Sequence, residues 1–308
     1  MNKDDLKRKF PGIAKDVSDM KRYLGYEYRK HSTPEQKRKI LENTYLERIG
    51  VPLNLNAPKR YTEKIQWMKL YGVTPLMSLL SDKYRVRDWV KQTIGEEYLL
   101  PMITAVKSFD EIDFKSLPDK FVIKSNNSSG WNIIVKDKEK LDLKQVKKKM
   151  DFWQHTNYAY WSMLEMQYAS IPTVFVIEDY ITDHNDELND YKFLCFDGVP
   201  YFCWVDTGRF SHHTRTVYDM DWNRQPWSQV YNPEEVYIDK PQNFDEMKKL
   251  ATALCKGFRH VRVDLYNVDG KIYFGEMTFT NGNGFDKIVP DKYDEVLGSY
   301  FHIGEKHR

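Results

Sequence analysis

The chain reads as an α+β protein: two β-rich lobes with a helix in each, behind a helical N-terminal segment. Three observations predict this. Roughly the first hundred residues carry helix spacing and helix caps. After Pro101 the pattern changes to short β-rich runs separated by turn residues. Long helix-spaced segments then interrupt the strand runs twice, once for each lobe.

Taken in order, "DVSDMKRYLGYEYRKH" and "TPEQKRKILENTYLERIG" have helical spacing. The second opens with Thr33 as N-cap and Pro34 at the first helical position, and closes at Gly50. "VPLNLNAPKR" is a loop, and "YTEKIQWMKLYG" and "PLMSLLSDKYRVRDWVKQTIG" each predict one helix closed by a glycine. "YLLPMITAV", "KFVIKS" and "NIIVKD" predict strands, followed by one long helix over "DLKQVKKKMDFWQHTNYAYWSMLEM". "TVFVIEDYI", "YKFLCFDGVPYFCWVD", "TVYDMDWNRQP", "HVRVDLY" and "KIYFGEMTF" predict further strands, with a helix at "NFDEMKKLATALCKGF" before the last pair. The expected division is a helical segment over 1–80, a first lobe over 81–176 and a second lobe over 177–308.

Composition excludes several function classes. The 308 residues carry 47 basic and 45 acidic side chains, a net charge of +2, so nothing global points to nucleic acid. The longest apolar runs, such as "TVFVI", are too short to span a bilayer, and "MNKDDLKRKF" has no apolar signal core. The three cysteines, Cys195, Cys203 and Cys255, have neither metal spacing nor an even count for a disulfide framework, and read as small core residues. A cytoplasmic protein is expected.

The stretch "VRVDLYNVDGKIYFGEMTF" carries one lone acid on each arm of a hairpin, Asp264 and Glu276. A three-residue loop, Val268-Asp269-Gly270, with Gly270 as a G1 bulge would pair Lys271 with Asn267 and Glu276 with Arg262. Asp264 would then be the diagonal neighbour of Glu276, roughly 7–8 Å away on the same face, a spacing that can flank one or two divalent cations. A two-residue turn at Asp269-Gly270 would put the acids on opposite faces. The blander reading is that Arg262 pairs with the acids on a solvated face.

Two further elements carry chemistry. "FVIKSNNSSG" is a strand ending in Lys124, followed by a small-residue loop, Ser125 to Gly130, whose backbone N–H groups can close over a polyphosphate. Lys124 supplies a point charge for phosphate oxygens. No G-x-x-x-x-G-K-[ST] occurs, so this is not a P-loop, and a polar hairpin turn is the competing reading. "TVFVIEDYI" is a buried β run ending in Glu178, a segment that could offer backbone groups and one acid to an adenine edge, or simply end in surface acids.

In order, "SDKYRVRDWVKQTIGEEYLLP", "FVIKSNNSSG", "VIEDYI", "DYKFLCFDG", "VRVDLY" and "GEMTF" resemble the ATP-grasp superfamily, over about residues 50 to 297. "PLNLNAPKRYTEKIQW" and the 190–223 segment resemble its TupA-like branch, found in teichuronopeptide and capsular-polysaccharide loci. The resemblance implies an ATP-grasp fold, two α+β lobes clasping a nucleotide, with ATP and Mg2+ as cofactors. It implies that Lys83 and Lys124 contact the phosphates, with Ser128, Ser129 and Gly130 in the lid. Glu178 and the Ile181 backbone would hold adenine, Asp190 the ribose, Lys192 the γ- or acyl-phosphate, and Asp264 and Glu276 magnesium. In many members an asparagine follows the metal glutamate by two positions. Here that residue is Thr278, with Asn281 and Asn283 as alternative second-metal ligands.

The acceptor pocket is expected in "DTGRFSHHTRTVYDMDWN", where Arg209, His212, His213 and Arg215 are dense cationic groups beside aromatics. Arginine grips carboxylate bidentately; a solvated hairpin with incidental histidines is the competing reading. Metal binding by His212 and His213 together is disfavoured, because adjacent strand residues point to opposite faces. The expected activity is an ATP-dependent, ADP-forming carboxylate–amine ligase. It would join a small-molecule amine to a uronic-acid-bearing sugar or glycan. No nucleic-acid partner and no membrane span are expected, and peripheral association with a polysaccharide assembly complex fits the resemblance. Two other readings stand beside it: a glycosyltransferase or phosphotransferase of capsule assembly, and a non-catalytic binding module.

Overall fold

The computed structural model describes residues 11–183, 188–208 and 212–304, with side chains from residue 19 onward. Helix α1 (Pro11–His31) is followed by α2 (Pro34–Ile49). In α2 the Thr33 hydroxyl accepts from the Gln36 N–H and the Gln36 side chain reaches back to the Thr33 N–H, a full capping box. The helix closes at Gly50, whose φ of 97° needs a residue without a Cβ.

Two segments expected as single helices are broken. α3 (Tyr61–Trp67) relaxes into a π-turn, Met68–Gly72. The next segment splits into α4 (Pro75–Ser81) and α5 (Val86–Thr93). Asp82 makes that break, because its Oδ1 accepts from the Tyr84 and Arg85 backbone N–H groups at 2.9 and 3.2 Å. A carboxylate that binds its own downstream backbone competes with the helix ladder. The break leaves Lys83 in a turn.

The first sheet contains β1 (Met102–Val106), β2 (Phe121–Ser125), β3 (Asn132–Val135) and β4 (Phe175–Asp179), in the order β1-β4-β2-β3. The expected lobe boundary at 176/177 runs through β4, whose pairings all lie within this sheet. The long helix expected after β3 is instead α6 (Leu143–His155) and a short α7 (Tyr158–Trp161). Asn157 caps α7 through its side chain, and Met163 and Leu164 then turn with positive φ. Side-chain capping overrides the apolar spacing here.

The second sheet has the order β10-β9-β5-β6-β7. Its strands are β5 (Asp190–Phe196), β6 (Val199–Thr207), β7 (Thr214–Asp219), β9 (His260–Val268) and β10 (Lys271–Thr278). A small ribbon pairs β8 (Ser228–Gln229) with β11 (Ile288–Val289). Helix α8 (Phe244–Cys255) covers one face, with Phe244 stacked on Phe193 at 5.7 Å. The last helix, α9 (Lys292–Tyr300), packs against α3.

Each sheet has its own core. Phe121, Ile123, Phe175 and Ile177 bury one face of the first sheet against Val146, Met150 and Trp153 of α6. The core of the second sheet also takes in Tyr61, Ile65, Met77, Leu80, Val86 and Val90, so α3 to α5 are part of the second lobe rather than a separate unit. The three cysteines are buried and free.

Candidate active site

Strand register builds the site. Cross-strand partners share a face of a sheet. Glu276 pairs with Asp264, and Asp264 with Lys192. One step along, Tyr266 pairs with Asp190, Asp190 with Asp206, and Asp206 with Arg215. Two polar rows thus run across the face opposite α8. In the first sheet Lys124 and Glu178 lie on the face opposite the α6 core, by the same alternation. The two polar faces enclose a cavity of about 280 Å³, lined among others by Lys83, Lys124, Asp190, Lys192, Asp264 and Glu276.

The hairpin turn is not the one expected. Lys271 pairs with Val268, and the turn is the two-residue Asp269-Gly270, both with positive φ (50° and 88°). Such turns match the twist of paired strands. Alone it would send Glu276 to the far face. The register then slips between Phe274 and Glu276, so Gly275 bulges and Glu276 comes directly opposite Asp264. A Cβ on Gly275 would lie 3.1 Å from the Asp264 carbonyl oxygen and 3.2 Å from the Tyr266 ring.

Arg262, two residues before Asp264, binds both acids. Its Nε and Nη2 donate to Asp264 at 2.7 and 2.6 Å, and Nη2 also reaches Glu276 Oε1 at 3.1 Å and Thr278 Oγ1 at 3.0 Å. Its Nη1 donates to Asn281 Oδ1. Burial pushes the Asp264 carboxyl up, partly offset by Arg262 and Lys192. Burial opposes the charge on Glu276 too, but Lys83, Arg262 and Lys192 outweigh it and hold it at about 2.

The lysines sit on the same cavity. Lys83 donates to the Ser128 carbonyl and lies 3.8 Å from Glu276, and burial lowers its pKa. Lys124 donates to Glu178 at 2.5 Å, and Glu178 also accepts from Arg87 at 3.1 Å. Lys192 donates to Asp190 at 2.6 Å and lies 3.6 and 3.5 Å from Asp206 and Asp264.

The small-residue loop is only partly open. Ser125 to Ser128 are buried, and Asn126 bonds Asp82 and the Val174 backbone. Ser129 and Gly130 at the tip line the cavity. Ile181, past the end of β4, is not among the residues lining it.

Arg215 does not present a free fork. Its Nε and Nη2 bind the Asp206 carboxylate at 2.6 and 2.8 Å, and the guanidinium lies over Trp204 and Tyr231. Burial works against the Asp206 charge, but Arg215 and Lys192 hold its pKa well below the carboxylate range. His213 packs on Tyr231 with ring centroids 3.8 Å apart. Arg209 lies outside the described residues. Asn283 is not near the acids: it accepts from Lys69 of the π-turn, whose pKa burial pushes down to about 7.

Sequence reasoning treated Arg262 only as a competing partner for the acids, although its i−2 spacing from Asp264 was a signal. Asp206 and Gln229 were missed; Gln229 accepts from Asn281 at 2.9 Å and so links the Arg262 and Arg215 clusters.

The donor set fits magnesium. Asp264 and Glu276 offer hard oxygens on one face, with Thr278 Oγ1 2.9 Å from Glu276. Among the described residues no group of three or more His, Cys, Asp or Glu side chains could hold a metal alone. Magnesium is typically held by one or two carboxylates plus phosphate oxygens and water.

No curated protein matches the chain. Among solved structures it is similar to D-alanine–D-alanine ligase from Bacillus anthracis complexed with ATP (17% identity, TM-score 0.41, 67% of this chain and 56% of that one). It is also similar to L-amino acid ligase from Bacillus licheniformis (14%, 0.41, 72% and 48%). The chain thus spans about half the length of these ligases. The family model described as "TupA-like ATPgrasp" matches residues 63–302, most of the chain. The chain belongs to the TupA-like ATP-grasp family.

Proposed function

We propose that the protein is an ATP-dependent carboxylate–amine ligase that releases ADP and phosphate and modifies a uronic-acid-containing glycan or its precursor. One observation carries the reading: Lys124, Lys192 and the Asp264–Glu276 pair on the two sheets, and Lys83 in the turn before α5, line a single cavity. That set suits phosphoryl transfer, where catalysis is chiefly positioning and charge neutralisation.

Asp264 and Glu276 would hold magnesium, which supplies Lewis-acid stabilisation of charge on the phosphates. Lys124 and Lys83 bind phosphate oxygens once their contacts with Glu178 and Glu276 open. Glu178 is then free to meet the adenine edge, Asp190 the ribose, and Lys192 the transferred phosphoryl group. The Ser129–Gly130 tip excludes water from the acyl-phosphate. Arg262 orients both acids, and Arg215 acts through Asp206. Membership of the ATP-grasp family supports ATP-dependent ligation as the reaction class; the polysaccharide substrate and association with an assembly complex rest on the sequence resemblance, and a cytoplasmic location on the cysteine pattern. No described helix is long and apolar enough to cross a membrane.

The test is an ADP-release screen of uronic acids against amino acids and simple amines with ATP and magnesium. Release that requires both a carboxylate and an amine supports the reading. Turnover of a nucleotide-sugar without ATP favours the glycosyltransferase alternative instead.

A further inference from the structure

If the cavity joins an amine to an activated carboxylate, it has a proton to remove. An amine arrives at neutral pH as an ammonium, which has no lone pair to attack with. The cavity offers few groups to take that proton. Asp190 and Asp206 face Lys192 and Arg215, and Asp264 and Glu276 both face Arg262. In the proposed reading Lys83 and Lys124 are taken up by phosphate. His213 lines the same cavity and is an imidazole.

Its surroundings hold it in one orientation. The ring packs face-on against Tyr231, 3.8 Å between centroids and 30° between planes. Nε2 is enclosed, 3.4 Å from Asp206 Oδ2, and makes no hydrogen bond among the described residues. The nearby carboxylate favours a proton on Nε2, the tautomer that leaves the lone pair on Nδ1. A carboxylate behind an imidazole fixes the tautomer and stabilises the imidazolium once it forms. Among the described residues, Arg215 of β7 and Lys192 of β5 both face Asp206, and Glu234 accepts from Thr214, next to His213. Lys192 also lies 3.5 Å from Asp264, so one side chain separates the dyad from the metal-binding pair.

We propose that His213, packed on Tyr231 with the Asp206 carboxylate beside its Nε2, is the catalytic residue that takes the proton from the attacking amine. This rests on the ligase reading above. The ammonium gives one proton to Nδ1. The freed lone pair forms the C–N bond to the acyl carbon as the bond to the phosphate oxygen breaks. The phosphate leaves with that electron pair and takes up the second nitrogen-bound proton, giving the amide and hydrogen phosphate; Nδ1 releases its proton to solvent.

Hydroxylamine separates this role from the rest of the site, because it is uncharged at neutral pH and attacks an acyl-phosphate without losing a proton first. The experiment compares the full-length protein with His213→Gln, supplying ATP, magnesium and glucuronic or galacturonic acid with either hydroxylamine or an amine (ammonium chloride, or the amino acids of the screen). Glutamine keeps a donor toward Asp206 but cannot take a proton. The expected result is loss of amine-coupled ADP release by about 100-fold, the size typical of general-base catalysis, while hydroxamate still forms. In His213→Gly, added imidazole is expected to restore part of the amine reaction. Equal loss with both acceptors, or a loss of less than about threefold with the amine, overturns the proposal. A wild-type protein that forms neither amide nor hydroxamate overturns the ligase reading itself, a separate outcome. Stabilisation of His213→Gln by magnesium and ATP, matched to wild type, verifies that the variant is folded.

Discussion

Glu276 stands directly opposite Asp264 because Gly275 takes an extra place in its strand. The tight Asp269-Gly270 turn sets one register, and the bulge five residues later shifts it by one. The placement of the acid pair therefore depends on a glycine that carries no functional group. Tyr266 and the Asp264 backbone crowd the position where a side chain would go.

Gly275→Ala tests that dependence. A Cβ 3.1 Å from a backbone oxygen forces the hairpin to give by a few tenths of an ångström. Overpacking of this kind costs about 1–3 kcal/mol. The expected outcome is a stability loss in the lower part of that range and a several-fold weaker magnesium dependence of ATP binding. Urea denaturation and magnesium titrations of the ATP thermal shift measure both. Unchanged magnesium dependence would show that the pair does not need this register.

Asp264→Asn and Glu276→Gln each remove one charge and keep the shape. Turnover is expected to fall at least 100-fold in both, with the fold retained, because Arg262 keeps the other acid together with Thr278 and Asn281. Loss of a charge-assisted hydrogen bond makes each variant less stable by about 1.5–3 kcal/mol. ADP release at saturating magnesium and circular-dichroism melts check this. Near-wild-type rates in both variants would mean that the acids serve only to hold Arg262.

Much of this arrangement was legible in the sequence, for physical reasons that differ from residue to residue. The N-cap at Thr33, with Pro34 after it, is local chemistry, and the structure completes it with Gln36. Asp264 and Glu276 were placed on one face through a three-residue turn, whereas the protein uses a two-residue turn and a bulge. The two changes cancel in the face but not in the distance, so a diagonal pair became a direct one. The breaks at Asp82 and Asn157 were missed because a side chain binding nearby backbone leaves the apolar spacing intact. Asp206 was missed for the opposite reason. Its partners Arg215 and Lys192 lie on neighbouring strands, and only the register of three strands brings them together.

His260 gives the protein a pH signature outside the catalytic groups. Its Nδ1 bonds the Cys195 carbonyl at 3.0 Å and Nε2 faces the Tyr61 hydroxyl at 3.1 Å. Burial pushes its pKa down to about 3 from 6.5; the Cys195 hydrogen bond works against this and Arg262 adds to it. Between those values the unfolded chain binds a proton that the folded protein refuses. Stability is therefore full above pH 6.5 and falls as pH drops below it, by about 1.4 kcal/mol per pH unit for this one group. His260→Gln can keep both hydrogen bonds without titrating. Urea midpoints from pH 7 to pH 5 are expected to fall more steeply in wild type than in the variant; parallel curves would place the titration elsewhere.

Arg215 was expected to grip a substrate carboxylate with a free fork, and in the protein that fork grips Asp206. The pair is bidentate and buried, and the guanidinium lies over the Trp204 and Tyr231 rings. Lysine keeps the charge but can reproduce neither the two parallel bonds nor the stacking. Arg215→Lys is therefore expected to lower stability in the absence of any substrate, by about 1.5–3 kcal/mol. ATP affinity should change little, since the phosphates are assigned to Lys83, Lys124 and Lys192. The carboxylate's kcat/KM should fall about tenfold, because Asp206 loses its orientation and with it the alignment of Lys192 and His213. Denaturation curves, nucleotide thermal shifts and steady-state kinetics with each substrate varied in turn separate these effects. A variant of unchanged stability whose only defect is a raised KM for the carboxylate would show that the fork leaves Asp206 to hold substrate. A variant that folds but no longer binds ATP would move Arg215 to the phosphate site.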